Sequence, residues 1–194
     1  YGQTWHRLDT TFLPKVGTGE GGFASSGTCV TLSPKGYFLI GTGVNGNARL
    51  LLKEPKNAHW QSIETPMPKG DVAGITTVQA LDSIWFIGGG NLADTTQQKT
   101  AFVSFNKGQT WAASALRPSL GPIYGSTLAH YKKGYALVVC GPSGVDISFD
   151  LGKTWQNISK QNTWTCLITP ENELWLAGKN GFIQSLHLRE LQEK

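Results

Sequence analysis

One eight-residue phrase constrains this chain more than anything else in it. Ser148-Phe149-Asp150-Leu151-Gly152-Lys153-Thr154-Trp155 repeats Ser104-Phe105-Asn106-Lys107-Gly108-Gln109-Thr110-Trp111. The chain opens inside a third copy, Tyr1-Gly2-Gln3-Thr4-Trp5, and a degraded fourth runs from Lys53 to Trp60. Apolar residues alternate on either side of each copy, the pattern of two strands joined by a hairpin. Asp or Asn followed two residues later by Gly is turn chemistry. The short polar side chain bonds nearby backbone N–H groups, and Gly accepts positive φ. Ser and Thr hydroxyls can tie the two arms, and Trp supplies a large apolar anchor with one N–H to satisfy. Ser104, Asn106, Gly108, Trp111, Ser148, Asp150, Gly152 and Trp155 are therefore read as builders of the fold rather than as reacting groups.

The anchors Trp5, Trp60, Trp111 and Trp155 lie 55, 51 and 44 residues apart. A period of about 40–50 residues with four short strands per repeat predicts an all-β propeller of four-stranded antiparallel blades. Blades are expected over 23–67, 72–117 and 123–160, with partial blades at 1–9 and 162–188. The first full blade is expected to have strands at Phe23–Ser33, Tyr37–Gly41, Arg49–Lys53 and Trp60–Glu64. The second has Ala73–Leu81, Ile84–Gly88, Ala101–Phe105 and Trp111–Leu116. The third has Tyr124–Tyr131, Tyr135–Cys140, Val145–Phe149 and Trp155–Ser159. The last has Thr163–Thr169, Leu174–Ala177 and Phe182–Leu188 and lacks its outermost strand. Residues 4–9 read as an outer strand of the incomplete first blade. Only Leu186–Lys194 has helical periodicity.

Two closures fit this count. Either the chain is the C-terminal part of a ring of six to eight blades, or strand 4–9 pairs with strand 182–188 to close a ring of four. The first is favoured because the chain begins inside a repeat. An open part-ring exposes sheet faces and calls for self-association or for missing N-terminal blades. Small polar residues on the expected inner strands (Ser25-Ser26-Gly27-Thr28, Thr76-Thr77, Gly125-Ser126-Thr127 and Thr163-Trp164-Thr165) suit an axis where bulky side chains would collide.

At 194 residues the chain can bury a sizeable core. Its 24 Gly, 7 Trp and 15% charged residues suit tight turns between apolar strands. A net charge of +4 with scattered Lys and Arg argues against a nucleic-acid partner. No run reaches the length of a membrane span. Cys29, Cys140 and Cys166 show no zinc spacing and read as buried thiols, with a Cys140–Cys166 disulfide left open. The four histidines, His6, His59, His130 and His187, are dispersed without ligand spacing, so no metal site and no cofactor are expected.

The phrase S-x-D-x-G-x-T-W resembles the Asp-box, or bacterial neuraminidase repeat, with Asn106 in place of Asp in one copy. Such boxes recur in the propellers of sialidases, sortilin-type receptors and the photosystem II stability/assembly factor family. Gly19-Glu20-Gly21-Gly22-Phe23-Ala24-Ser25-Ser26-Gly27-Thr28 with Asn47-Ala48-Arg49 is similar to bacterial relatives of that last family. The resemblance implies a periplasmic or secreted propeller with more blades than this chain holds. It implies no particular chemistry.

In a propeller the linkers between blades and the loops joining second to third strands share one face, where ligands bind. That geometry nominates Glu20, Ser25, Ser26, Asn47, Arg49, Asn91, Asp94, Tyr124, Trp164 and Lys179. Glu20, in a Gly-rich linker, is the one weak catalytic candidate, as a proton shuttle. Its alternative is a solvated loop carboxylate. Arg49 could fork onto a carboxylate or phosphate, or pair with Glu20 or Asp94. Tyr124 and Trp164 could form a stacking platform for a sugar or aromatic ring, or simply pack.

Two functions compete. The first is a non-enzymatic binding or assembly scaffold for a protein or carbohydrate ligand, since no nucleophile motif, definable carboxylate pair or cofactor fingerprint is present. The second is a sialidase-type glycoside hydrolase, which needs an arginine cluster. Only Arg7, Arg49, Arg117 and Arg189 exist, and Arg49 alone is expected on the binding face.

Overall fold

The computed structural model describes residues 2–24 and 26–192. Among these residues fifteen strands form four antiparallel sheets, each a simple meander in which neighbours in sequence are neighbours in the sheet. Sheet 1 holds β1 (Val30–Leu32), β2 (Phe38–Gly41), β3 (Arg49–Lys53) and β4 (Trp60–Glu64). Sheet 2 holds β5 (Ala73–Leu81), β6 (Ile84–Asn91), β7 (Ala101–Ser104) and β8 (Ala112–Ala113). Sheet 3 holds β9 (Gly125–Tyr131), β10 (Gly134–Gly141), β11 (Gly144–Ser148) and β12 (Gln156–Ser159). Sheet 4 has three strands, β13 (Thr163–Ile168), β14 (Glu173–Gly178) and β15 (Ile183–His187), followed by a short helix, α1 (Leu188–Gln192). The architecture is that of a β-propeller, and the last sheet lacks its fourth strand as the repeat count predicts.

Because strand side chains alternate, each sheet has two faces to bury. Leu39, Leu50 and Leu52 of sheet 1 meet Val78, Trp85, Ile87 and Phe102 of sheet 2. The other face of sheet 2, with Phe86, Ala101 and Val103, meets Leu137 and Val139 of sheet 3. The other face of sheet 3, with Ala136, Val138 and Ile147, meets Cys166, Ile168, Leu174 and Leu176 of sheet 4. The core is thus three layers between four sheets. Fully burying one such side chain contributes about 1.5–3 kcal/mol. Cys140 and Cys166 lie in the last layer as free thiols, so the disulfide left open above is not formed.

The two good repeat copies are superposable hydrogen-bond networks. Ser104 Oγ accepts from the N–H of Asn106 (3.3 Å) and Gly108 (2.7 Å) and donates to Asn106 Oδ1 (2.9 Å). Ser148 Oγ does the same with Asp150 (3.3 Å), Gly152 (2.7 Å) and Asp150 Oδ1 (2.8 Å). The acceptor oxygen then takes the backbone N–H of Thr110 or Thr154, each at 2.9 Å. Only the last bond inverts. Asn106 Nδ2 donates to Thr110 Oγ1, whereas Thr154 Oγ1 donates to Asp150 Oδ2. A hydroxyl serves either way, which is why Asn replaces Asp without changing the turn. Gly108 and Gly152 take φ of 79° and 85°, as the turn chemistry requires. The indole N–H groups of Trp111 and Trp155 find no acceptor among the described residues, against expectation. These anchors act through their apolar rings.

Several expected boundaries are corrected. The first inner strand is confined to Val30–Leu32, not Phe23–Ser33, because Gly27 at φ 71° and the Ser26–Thr28 hydroxyl contact bend the chain before it. β8 stops at Ala113 rather than Leu116, because the Ala115 N–H leaves sheet 2 to bond Gly152 O in the next hairpin. Residues 4–9, expected as an outer strand, form none. They have no sheet edge beside them, and Trp5 is 88% exposed. Among the described residues they do not pair with β15, so the closure expected through that pairing is not formed. The helical periodicity near the C-terminus is realised in α1, whose Leu188 and Leu191 cap the layer between sheets 3 and 4.

The inverted last bond sets an expectation. Asn106→Asp should leave stability within about 0.5 kcal/mol, while Asp150→Ala, which strands the Thr154 N–H and hydroxyl, should cost about 1–3 kcal/mol. Paired urea unfolding curves measure both.

Candidate functional site at the mouth of the axis

In a four-strand meander the first and third turns lie at one end and the second turn and the inter-sheet linker at the other. The repeat hairpins, as third turns, therefore sit opposite the linkers. Near the linker end, the inner strands carry the small polar residues that the sequence places there. Ser26 Oγ and Thr28 Oγ1 share a hydrogen bond at 2.6 Å, Thr28 Oγ1 donates to Thr77 Oγ1 at 2.7 Å, and Thr77 Oγ1 and Ser126 Oγ share one at 2.6 Å. This hydroxyl chain stitches sheets 1, 2 and 3 across the axis. Gln79 Nε2 adds a bond to Ser126 O at 2.7 Å, and Thr165 Oγ1 of sheet 4 reaches Ser26 O at 3.4 Å. The inner polar residues thus hold the sheets together rather than lining an open channel.

Gly125 sits where these elements converge. A Cβ there would lie 2.9 Å from Trp164 O and 3.2 Å from both Ser26 Cβ and Cys140 Sγ, so only glycine admits this approach. Its neighbour Tyr124 is half-buried. Trp164 Nε1 donates to Asn162 Oδ1 at 2.9 Å, and the Lys179 backbone N–H donates to Asn162 O at 3.0 Å. Asn162, which the sequence reading missed, thereby brings Trp164 and Lys179 together. Nothing in the sequence pairs the β12–β13 linker with the β14–β15 loop, so no local signal could have found it. Trp164 remains 44% exposed, and Lys179 is exposed. No ring contact joins Tyr124 to Trp164 among the aromatic pairs of the described residues. Ser26, Tyr124, Trp164 and Lys179 are the candidates the fold gathers. Ser25 lies outside the described residues.

Glu20 and Arg49 form a separate unit on sheet 1. Arg49 Nε and Nη2 donate to Glu20 Oε1 and Oε2 at 2.7 and 2.6 Å, a two-pronged pair. Arg49 also donates to Lys15 O (2.7 Å) and Ser62 Oγ (3.0 Å), and the Gly17 N–H donates to Glu20 Oε2 (2.7 Å). Asn47 Nδ2 and Asn45 Nδ2 bond Thr18 O and Gly19 O. The hydrogen bonds from Arg49 outweigh the effect of burial and hold the Glu20 carboxyl down to about 2. A carboxylate so engaged is a poor proton shuttle at neutral pH, which corrects Glu20 as a catalytic candidate. The pair clamps the Gly-rich linker to sheet 1, the alternative reading of Arg49.

A second clamp was missed in sequence. Arg117, in the β8–β9 linker, is buried, donating to Asp146 Oδ2 (3.2 Å), Thr100 Oγ1 (3.1 Å) and Gly121 O (2.9 Å). Asp146 also accepts from the Ser119 N–H, Ser119 Oγ and Asn157 Nδ2. Burial pulls the Arg117 guanidinium below its usual value, opposed by Asp146. Arg49 is therefore not alone on the linker face, but both arginines are spent on carboxylates of the chain itself. A pocket of about 140 Å³ beside Arg117 is lined by Gln97, Lys99, Ser114 and Leu116. Asn91 ends β6 and Asp94 lies in the β6–β7 loop, where they accept from the N–H groups of Ala93 and Thr96 as local turn residues. No cluster of three or more His, Cys, Asp or Glu side chains able to hold a metal occurs among the described residues. No helix among them is long and apolar enough to cross a membrane.

The Glu20 carboxyl is held below its ordinary 4.5, so its contribution is complete above that pH and is lost as pH falls toward about 2. Amide hydrogen exchange at Gly17 and Gly21 should stay protected at pH 5 and rise about 10–100-fold in Glu20→Gln, while the amides of β10 stay unchanged.

Comparison with known proteins agrees with the fold. The chain matches no protein-family profile and no curated protein. Among solved structures it is similar to YCF48 bound to D1 peptide, at 16% identity and TM-score 0.56, over 87% of this chain and 54% of that one. It is similar to a GH74 enzyme of Niastella koreensis (15%, TM-score 0.58, 84% of this chain and 29% of that one). It is also similar to the computationally designed Ika4 protein (12%, TM-score 0.56, 95% and 99%). The chain spans about half the length of the YCF48 structure and less than a third of the GH74 enzyme. At these identities the likeness is one of fold: the chain has a β-propeller architecture resembling that of YCF48.

Proposed function

We propose that the chain is a non-enzymatic scaffold that binds an extended protein segment at the mouth of the axis. The observation that carries this reading is the exposed Trp164 indole, held by the Asn162 side chain, whose backbone carbonyl accepts the N–H of exposed Lys179 on the adjoining loop, while Arg49 and Arg117 already hold carboxylates of the chain. An exposed aromatic face with a lysine on the adjoining loop suits a peptide carrying an apolar and an acidic side chain. That a similar fold, YCF48, is described with a bound D1 peptide supports the class of ligand. The similarity to a GH74 enzyme keeps hydrolysis as the competing outcome, although Glu20 and Arg49 are occupied with each other. An exported location, and the naming of the repeat hairpins as Asp-boxes, are parts of this proposal that rest on the sequence resemblance.

A peptide array probed with the protein tests it. Acidic-aromatic peptides should bind. Trp164→Ala should weaken them at least about tenfold, and Lys179→Ala should weaken them less. A panel of chromogenic glycosides should show no turnover; turnover abolished by Glu20→Gln would overturn the scaffold reading.

A further inference from the structure

The strands of sheets 2 and 3 expose no large apolar side chain among the described residues, yet the two end sheets do. On sheet 4, cross-strand register puts Leu167 beside Trp175 and Ala177 beside Ile183 on one face. Leu167, Trp175 and Ile183 are 60%, 44% and 69% exposed. This is the face that, in sheets 1 to 3, packs against the next sheet. On sheet 1, Val30 and Leu32 stand exposed on the face that, in sheets 2 to 4, packs against the preceding sheet. The two free faces are the two halves of one repeating junction.

The chain's own junctions say what a complete one contains. Each runs from the outermost strand of one sheet, through a linker, to the inner strand of the next. The stretch before β1 has the same order. Its residues 10–22 are laid along sheet 1 by Phe12 against His59 (5.2 Å between rings), by Glu20 and Lys15 on Arg49, and by the Gly21–Gly43 bridge. Residues 4–9 therefore stand where the outermost strand of a preceding sheet belongs. They begin with Thr4-Trp5, the end of the repeat phrase that opens β8 and β12. Yet Trp5 and Leu8 are in solvent, and the sheet that lacks an outermost strand is sheet 4. Within one chain, Thr165 of sheet 4 reaches Ser26 O near the axis, but residues 4–9 do not pair with sheet 4 among the described residues.

We infer that a second copy of this chain completes the junction. Residues 4–9 of one copy add to β15 of the other as the fourth strand, and its sheet 1 seats on Leu167, Trp175 and Ile183. A two-fold pair makes this contact twice and closes a ring of eight sheets. Main-chain hydrogen bonds to the open edge fix the strand, and Trp5 takes the anchoring position of Trp111 and Trp155.

The test is light scattering after gel filtration over a range of concentrations, on three proteins. The unmodified chain should elute as a dimer of twice 21.0 kDa. Trp5→Ala/Leu8→Ser impairs only the donated strand, and Leu167→Asp/Ile183→Asp only the receiving face. All four side chains are exposed in the single chain, so both variants should fold with unchanged circular dichroism. Each alone should raise the dimer dissociation constant at least about tenfold. An equimolar mixture of the two should form more dimer than either, because one of its two junctions pairs an intact arm with an intact face. A monomer at every concentration, including one closed by its own arm, overturns the inference. So does a dimer indifferent to both variants, or a mixture no better than its components.

Discussion

Every part of this molecule follows from sheets that are apolar on both faces. A sheet with one wet face can end a fold; one with Phe86 and Val103 on one side and Ile87 and Phe102 on the other cannot. It must be flanked twice. The meander supplies flanking sheets in chain order, and a short linker between outermost and inner strands sets each sheet beside the last. Polar chemistry is then confined to the ends of the strands. There it appears as hydroxyl-bonded hairpins at one end and as two arginine–carboxylate clamps at the other. The clamps hold linkers, which have little apolar surface with which to fix themselves.

That division explains what the sequence revealed. The architecture was legible because the hairpin networks of Ser104 and Ser148 are local. All their partners lie within four residues, so the spacing of the phrase carries the whole geometry. The middle strands were legible for a similar reason: alternation and turn residues bracket β6 and β10 closely. The first inner strand was misjudged because the Ser26–Thr28 contact that bends it competes with extension over a span too short for periodicity to register. Residues 4–9 read as a strand because their pattern is one, but a strand needs an edge, and the edge is not a property of the segment.

The site was less legible because its contacts are non-local. Glu20 and Arg49 were both named, and their pairing was one of the readings kept open. Arg117 and Asp146 were missed, since their partners are spread from Thr100 to Asn157 across two sheets. Asn162 is an ordinary loop residue in sequence and matters only because two loops meet on it. Residues selected by loop position alone therefore divide into those that hold the scaffold, Glu20, Arg49 and Ser26, and those left facing outward, Trp164 and Lys179.

The core has a further property. Its three layers are separate, each shared by one pair of adjacent sheets, and the bonds that cross the axis are a few hydroxyl contacts. Such a body resembles a stack held by nearest-neighbour couplings. Its cohesion grows with the number of layers rather than with the size of any one of them, and loss of order can begin at an end and stop at the next layer. In the single chain, sheet 4, with one covered face and a short helical tail, is the natural starting point for such fraying. The centre of resistance lies in sheets 2 and 3, each gripped on both sides.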